Sequence, residues 1–250
     1  MIIKSIILGI VQGLTEFLPI SSSGHLAILQ KYFGITEPVA LATFLHFGTF
    51  VAIIVFFFKP IVILIKGLFK KEQESTNYVV NIIIGTIPIV LFALIFKTQI
   101  ERAFNNITIV ALLLGITGTV LLLTMVIKRS NKKITLFSAL LIGISQMFAT
   151  FPGISRSGVT ISTGLFLQTS SEKSFRFSFL LSLPATLGAN IVELKSISKV
   201  NDIPSIAVGV IFSFIFGLIA LKILKHAVQR RFHLFGIYCI IMSIILLLTK

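Results

Sequence analysis

The stretch GISQMFATFPGISRSG (143–158) repeats, without a gap, an earlier stretch of the same chain, GIVQGLTEFLPISSSG (9–24). Eight of the sixteen positions are identical, whereas chance in so biased a composition gives about one or two. Each copy contains an apolar segment, a proline, a Ser-x-Ser-Gly turn and a second short apolar segment. Pro19 and Pro152, with the glycines near them, disfavour a continuous helix. The sequence therefore predicts two helical hairpins, each broken near its tip.

The segments around these two copies are too apolar for a soluble domain. Of the 250 residues, 56% are hydrophobic and 12% are charged, and the mean hydropathy is +1.05. Most of the uncharged stretches are long enough, at about 1.5 Å per helical residue, to cross a hydrocarbon core of about 30 Å. They lie at 40–58, 77–96, 106–127, 134–151, 177–192, 205–221 and 234–249. The chain is thus predicted to be an integral membrane protein.

The basic residues fall in short loops between the apolar stretches. The excess of 22 Lys and Arg over 8 Asp and Glu suggests nucleic acid at first, but no amphipathic face collects these charges. Lipid headgroups are therefore the predicted partners, and nucleic acid is excluded. The positive-inside rule assigns three rich loops to the cytoplasm and the loops at 97–105 and 193–204, with two basic residues each, to the outside. The rich loops contain Lys59, Lys66, Lys70 and Lys71; Lys128, Arg129, Lys132 and Lys133; and Lys222, Lys225, Arg230 and Arg231.

This alternation predicts an inverted arrangement of the two copies. Single membrane spans reproduce the alternation of basic loops if each broken hairpin starts and ends on the same side of the membrane. Three spans lie between the two copies, and because this number is odd, the second copy is inverted relative to the first. The predicted fold is all-α, a single polytopic membrane domain over 1–250, with about six transmembrane helices and two broken re-entrant helical hairpins in two inverted-topology repeats. The repeats cover about 1–96 and about 134–221, and the spans 106–127 and 234–249 remain. Irregular backbone at bilayer depth needs protein or a wet cavity around it, so the hairpin tips are the predicted functional site.

Arg156 in the second copy needs an anionic partner, because arginine at the centre of a membrane helix costs about 2.5 to 3.5 kcal/mol. Glu16 is the only carboxylate of the first copy, and Gln12 lies one turn earlier on the same helical face. Two interpretations stay open at this point. Glu16 and Arg156 form a structural ion pair, or Arg156 holds a substrate anion.

The hydroxyl groups beside both breaks favour the substrate anion. Serine hydroxyls, free backbone N–H groups and a helix N-terminus bind phosphate oxygens, and the planar fork of arginine fits two such oxygens at once. The predicted phosphate-binding residues around Arg156 are Gln12, Ser21, Ser23, Gly153, Ser155, Ser157 and Thr160. Glu16 is a predicted base or cation ligand, Ser22 a nucleophile and His25 a proton-transfer group. His46, alone in its span, is predicted to pack against or hydrogen-bond a neighbouring helix.

The two motifs resemble those of the bacitracin-resistance type of undecaprenyl-diphosphate phosphatases. QGLTEFLPISSSGHL (12–26) resembles the first signature of that family and PGISRSGVT (152–160) resembles the second. GTIPIVLFAL (85–94) and FSFLLSLPATLGA (177–189) resemble its intervening and late spans. The resemblance covers the whole chain.

Residue roles follow from this resemblance, position by position. It implies that Glu16 is the essential acidic residue and that Ser22 and His25 are the proposed nucleophile and acid–base group. The residues that match the phosphate-binding motif are Ser155, Arg156, Ser157 and Thr160. Gln12 stands where the family has either Glu or Gln, so in this chain either a single carboxylate serves the metal or water takes the place of the second.

The resemblance also implies the substrate and the cofactor. Its enzymes remove the terminal phosphate from a C55 polyprenyl diphosphate, which recycles the lipid carrier for cell-wall synthesis and confers bacitracin resistance. The implied cofactor is a divalent cation, Mg²⁺ or Ca²⁺, with Glu16 as its ligand. The implied partners are the lipid substrate and the lipids of the cell membrane, and a homodimer is left open. The alternative is a polyprenyl-phosphate flippase or another secondary transporter, because inverted repeats with broken helices are common in transporters.

Overall fold

The computed structural model describes residues 2–35, 38–104, 106–127, 130–193 and 202–249, and their regular structure is helical. The helices are α1 (Ile2–Phe17), α2 (Ser22–Tyr32), α3 (Pro38–Phe56), α4 (Phe58–Phe69), α5 (Gln73–Ile95), α6 (Lys97–Phe104), α7 (Ile107–Leu123), α8 (Leu136–Phe148), α9 (Arg156–Phe166), α10 (Ser171–Glu193), α11 (Ile203–Arg230) and α12 (Leu234–Leu248). A short 3₁₀ turn, Thr124–Val126, extends α7. The predicted all-α class is confirmed for the described part of the chain.

Both copies of the repeated stretch break where the sequence predicts. Residues 18–21 separate α1 from α2, and residues 149–155 separate α8 from α9. Each break contains one residue in the left-handed region, Ser21 with φ of 66° and Gly153 with φ of 100°. A side chain at Gly153 would also collide with the backbone carbonyl of Val110 in α7, so this position requires glycine. The two arms of each hairpin contact each other.

Four helices are long and apolar enough to cross a membrane: α5, α7 with its 3₁₀ turn, α10 and α11. The predicted span 40–58 ends in a bend, because residues 41–56 and 58–69 make an angle of 69° and count together as one broken span. α12 is apolar but has only 15 residues, about 22 Å of helix. The described residues thus contain four or five candidate spans where the sequence predicts about six, and the chain is a multi-pass membrane protein.

Parts of two predicted loops lie outside the described residues. Lys128 and Arg129, two of the basic residues that assign the loop before α8 to the cytoplasm, belong to this group. So do residues 194–201, most of the loop that is predicted to lie outside. The sidedness of both loops therefore stays a prediction.

The first arm of each hairpin packs against a long helix from the other half of the chain. α1 lies along α11, and α8 lies along α5. Both contacts are glycine to glycine: a Cβ atom on Gly9 would overlap the carbonyl of Gly209, and one on Gly143 would overlap the carbonyl of Gly85. α3 likewise contacts α11 and α10 contacts α5, while α7 and α12 pack on each other. These contacts bring the two breaks together in the interior.

Four buried phenylalanines lie behind the breaks: Phe17, Phe57, Phe175 and Phe179, named here the phenylalanine cluster. The ring centroids of Phe17 and Phe179 are 5.5 Å apart, edge to face. Phe175 lies 5.0 Å from Phe179 and 5.6 Å from Phe57. Such pairs contribute beyond the apolar area that they bury. The cluster joins α1, the bend after α3, and α10 into one rigid wall.

Candidate active site

Glu16, in the last turn of α1, is the centre of the site. Its Oε1 accepts a hydrogen bond from Nη2 of Arg156 at 2.5 Å. Its Oε2 accepts from Oγ of Ser22 at 2.7 Å and from Nε2 of Gln12 at 3.2 Å. The side chains of Glu16 and Arg156 are only 11% and 15% exposed. The two hairpins therefore meet through a largely shielded ion pair, one of the two arrangements that the sequence leaves open for Arg156.

Arg156 keeps donor capacity beyond this ion pair. Its Nη1 is buried and has no hydrogen-bond partner among the described residues. The guanidinium carbon lies 6.0 Å from the centre of the Phe179 ring, at cation–π distance. Because a guanidinium carries five N–H donors in a fixed plane, Arg156 can bind Glu16 and an anion together.

His46 joins the site from α3. Its Nδ1 lies 2.8 Å from Nε2 of Gln12 and 3.5 Å from Oε2 of Glu16. An amide nitrogen is a donor, so Nδ1 accepts the hydrogen bond from Gln12. The predicted hydrogen bond to a neighbouring helix is confirmed. Sequence reasoning nevertheless missed His46 as a site residue, although one ionisable group in an apolar span was the signal that could have found it.

The tips of the two hairpins also contact each other directly. The backbone N–H of Gly153 donates to Oγ of Ser21 at 3.1 Å, and this oxygen lies 3.3 Å from Oγ of Ser23. Ser21 thus links the two breaks. A residue predicted to bind phosphate therefore already braces the junction between the hairpins.

The serines of the second motif surround the start of α9. Ser155 is the N-cap, and its Oγ accepts from the backbone N–H of Gly158 at 3.2 Å. Oγ of Ser157 lies 3.3 Å from the same oxygen. A helix N-terminus with free N–H groups and nearby hydroxyls is suited to bind an anion. Ser155 and Ser157, which flank Arg156 in the chain, thus lie at the start of α9, and their predicted role in binding phosphate stays a prediction.

Two threonines hold this helix start in place. Oγ1 of Thr117, in α7, accepts from the backbone N–H of Ser155 at 3.1 Å and donates to the carbonyl of Gly153 at 3.0 Å. Oγ1 of Thr160, one turn into α9, lies 2.6 Å from Oγ of Ser178 in α10. Both hydroxyls are occupied by protein partners. Thr160, predicted to bind phosphate, thus joins two helices.

His25 hydrogen-bonds Ser21 and Tyr238 rather than Glu16. Its Nδ1 lies 2.8 Å from the carbonyl oxygen of Ser21, and its Nε2 lies 2.6 Å from the hydroxyl of Tyr238 in α12. The His25 and Tyr238 rings are nearly parallel, with centroids 5.9 Å apart. Both ring nitrogens are thus engaged, and within the described residues no hydrogen bond joins His25 to Ser22 or Glu16.

The oxygen atoms near Glu16 fit a divalent cation that takes few ligands from the protein. Mg²⁺ and Ca²⁺ prefer oxygen, and Mg²⁺ is often held by one or two carboxylates together with water and substrate phosphates. Glu16 supplies a carboxylate, and Oε1 of Gln12 is buried without a hydrogen-bond partner in the described part of the chain. The described residues contain no group of three or more His, Cys, Asp or Glu side chains that could hold a metal ion. A substrate-assisted site fits better than a site built by the protein alone.

Comparisons with known proteins identify relatives over the full length of the chain. The family model described as bacitracin resistance protein BacA matches residues 5–245. An undecaprenyl-diphosphatase from Methanococcus maripaludis is 40% identical over 248 residues, which cover 98% of each chain. Proteins of the same name from Thermosipho africanus and Thermosipho melanesiensis are 41% and 42% identical. These two alignments cover 96% of this chain and 97% and 96% of the relatives.

Proposed function

The chain belongs to the family of the bacitracin resistance protein BacA, and we propose that it acts as an undecaprenyl-diphosphatase at the Glu16 site. It is an enzyme that hydrolyses undecaprenyl diphosphate to undecaprenyl phosphate and inorganic phosphate. This reaction recycles a lipid carrier for cell-wall synthesis, which agrees with the family's description as a resistance protein. The transporter alternative is not favoured, since full-length relatives bear the name of a phosphatase.

One observation carries the proposed mechanism: the hydroxyl of Ser22 donates a hydrogen bond to Oε2 of Glu16 at 2.7 Å. A hydroxyl paired with a carboxylate is a nucleophile beside its general base. As Oγ of Ser22 attacks the terminal phosphorus, Glu16 takes the proton and the bond to the bridging oxygen breaks, which releases the polyprenyl monophosphate. Water then hydrolyses the phosphoserine. Direct attack by a water that Glu16 activates gives the same products without phosphoserine.

Positive charge for the phosphate comes from Arg156 and the start of α9. Phosphoryl transfer depends mainly on positioning and charge neutralisation, because little covalent chemistry is left to the protein. In the proposed complex the free Nη1 of Arg156 and the hydroxyls of Ser155 and Ser157 hold the oxygens of the terminal phosphate. A bound divalent cation would neutralise and orient the diphosphate. Glu16 and Oε1 of Gln12 are the groups proposed to hold it.

We also propose that the two halves, about 1–96 and about 134–221, are inverted repeats in the cell membrane. The reciprocal packing of α1 on α11 and of α8 on α5 supports this arrangement, as does the contact between the two hairpin tips. In such a membrane domain the diphosphate reaches the buried Glu16 while the polyprenyl tail stays among lipids. A site inside the bilayer therefore suits a lipid substrate.

Release of inorganic phosphate from undecaprenyl diphosphate by the purified protein in detergent tests the proposal. We expect turnover in the wild type, loss of turnover with excess chelator, and recovery with Mg²⁺ or Ca²⁺. Glu16→Gln should be nearly inactive with either metal. Absence of phosphate release under all conditions would overturn the phosphatase, and full turnover in excess chelator would remove the cation.

The nucleophile is identified by a single turnover with substrate labelled on its terminal phosphate and quenched in acid. Attack by Ser22 places label on the wild-type protein and none on Ser22→Ala. Label-free protein during rapid turnover would assign the attack to water.

A further inference from the structure

A second cleft lies beside the bend between α3 and α4, and three basic side chains line it: Lys59, Arg176 and Lys225. Its volume is about 470 Å³, within the range of about 300 to 1,000 Å³ that ligand pockets occupy. Among the described residues that line it, Glu172 is the one with an acidic side chain. Three cations against one carboxylate leave an excess of two positive charges, so this basic cleft favours an anion.

The cations of the basic cleft have no ion-pair partner among the described residues. No hydrogen bond or salt bridge joins Lys59, Arg176 or Lys225 to another residue in the described ranges. Nε of Arg176 is buried without a partner there, and its guanidinium lies 5.5 Å from the centre of the Tyr78 ring. Arg176 is thereby fixed against an aromatic face while its donors remain available.

The rim of the basic cleft is apolar and exposed. Phe58 and Val55 line it, and they are 61% and 49% exposed. Both lie at the bend where the chain leaves α3 for α4. Cations beside exposed apolar side chains match a phosphate group that continues into hydrocarbon chains. A free phosphate ion would use only the cations.

We propose that the basic cleft binds the phosphate headgroup of an anionic phospholipid, whose acyl chains lie against Val55 and Phe58. The structure places Lys59 in the first turn of α4 and Lys225 near the end of α11, and the positive-inside rule assigns both of these basic segments to the cytoplasmic side. Basic pockets there attract anionic lipids, with a gain of about fivefold in affinity for each cation.

This site is separate from the Glu16 site. Phe57 and Phe175 line the basic cleft and belong to the phenylalanine cluster, whose Phe179 lies beneath Arg156. Aromatic side chains thus stand between the two sites. The lipid site does not depend on whether the chain hydrolyses a diphosphate.

Native mass spectrometry of the full-length protein in detergent, titrated with phosphatidylglycerol or phosphatidylcholine, tests the lipid site. The wild type should bind phosphatidylglycerol more tightly than phosphatidylcholine. Lys59→Gln/Lys225→Gln should weaken phosphatidylglycerol binding about 25-fold and leave phosphatidylcholine unchanged. Lys66→Gln/Lys222→Gln is the matched control, since it removes the same charge from exposed positions of α4 and α11 that do not line the cleft.

Two results would overturn the proposal. Equal loss of phosphatidylglycerol binding in both double variants would mean general attraction to a basic surface. Inorganic phosphate alone, bound by the wild type as tightly as phosphatidylglycerol and lost in Lys59→Gln/Lys225→Gln, would mean that the cleft takes the ion from solution. Both double variants change only exposed side chains, and an unchanged elution volume verifies that they fold.

Discussion

Variants of Arg156 test whether this residue binds the substrate or only forms a structural ion pair with Glu16. A lysine keeps the charge but lacks the planar fork, so Arg156→Lys should fold normally and lose about 100-fold in turnover. Arg156→Ala leaves the buried Glu16 carboxylate unpaired and should lower the free energy of unfolding by about 3 to 5 kcal/mol. Phosphate release and thermal unfolding in detergent measure the two effects.

The double variant Glu16→Gln/Arg156→Ala completes this comparison. It removes both charges and should recover most of the stability while it stays inactive. If this variant regained turnover together with stability, or if Arg156→Lys kept wild-type turnover, Arg156 would not hold the phosphate.

His46 is expected to position Gln12 and thereby Glu16. His46→Leu removes the acceptor for the Gln12 amide. It should reduce turnover about 10- to 100-fold, which is the typical effect of losing a residue that orients a metal ligand through a hydrogen bond. His46→Gln restores an acceptor and should recover activity with an unchanged dependence of kcat on pH. The measurements are kcat, KM and the Mg²⁺ concentration for half activity.

His226→Leu is the control, since His226 is exposed on α11 and its hydrogen bond within the described part of the chain goes to the Lys222 carbonyl. Wild-type turnover in His46→Leu would exclude the positioning role. A pH profile that changes in His46→Gln would instead indicate that the imidazole itself transfers a proton.

For single residues, the sequence predicts those site residues that lie in the two matched stretches. Glu16, Ser22 and Arg156 interrupt two matched apolar stretches, and the structure brings all three together. His46 lies outside the two matched stretches, 9–24 and 143–158, so no motif pointed to it. His25 lies one turn from Ser22, but its ring is held by Tyr238, 213 residues later. Sequence spacing does not reveal so distant a partner.

Among the elements, the contact between α8 and α5 depends on two glycines in close approach. A methyl group at Gly143 meets the backbone carbonyl of Gly85, so Gly143→Ala should force the helices apart and cost about 1 to 3 kcal/mol of stability. Gly188→Ala in α10 is the control, because a Cβ atom there has no atom of the described residues within 4 Å. Thermal unfolding in detergent compares them, and equal stability would show that α8 does not need this approach.

For the helices, the sequence predicts the two breaks in the hairpins but not the bend after α3. Proline and glycine in the repeated stretch predict both helix breaks, since each disfavours a helix interior. The bend after α3 was missed, although Pro60 lies in the first turn of α4, where proline is well tolerated. Hydropathy continues through Phe57 into α4, and composition alone does not show where an apolar helix turns.

The topology of the whole molecule is testable with cysteines in a Cys239→Ser background. The predicted arrangement has residues 71–76 and 128–133 in the cytoplasm and 98–104 and 196–202 outside. Gln73→Cys, Gln99→Cys and Lys133→Cys all replace exposed side chains. In intact cells an impermeant thiol reagent should label only Gln99→Cys.

Permeabilised cells supply the control, because all three cysteines should then react. Labelling of Lys133→Cys in intact cells would contradict the inverted topology. The apolar stretches and their flanking charges predict a polytopic chain. The direction of the second hairpin depends on the loop before α8, and Lys132 and Lys133 are the only basic residues of this loop that the structure describes.

The ion pair between Glu16 and Arg156 joins residues that are 140 positions apart. A ribosome that adds about 5 to 20 residues per second needs about 7 to 28 s to make the intervening chain. During that time the first hairpin has a carboxylate with no counter-charge, and a charged group is costly inside a bilayer. The nascent hairpin therefore has to wait near water or carry a proton on Glu16, and it reaches its final depth only when the second half of the protein emerges.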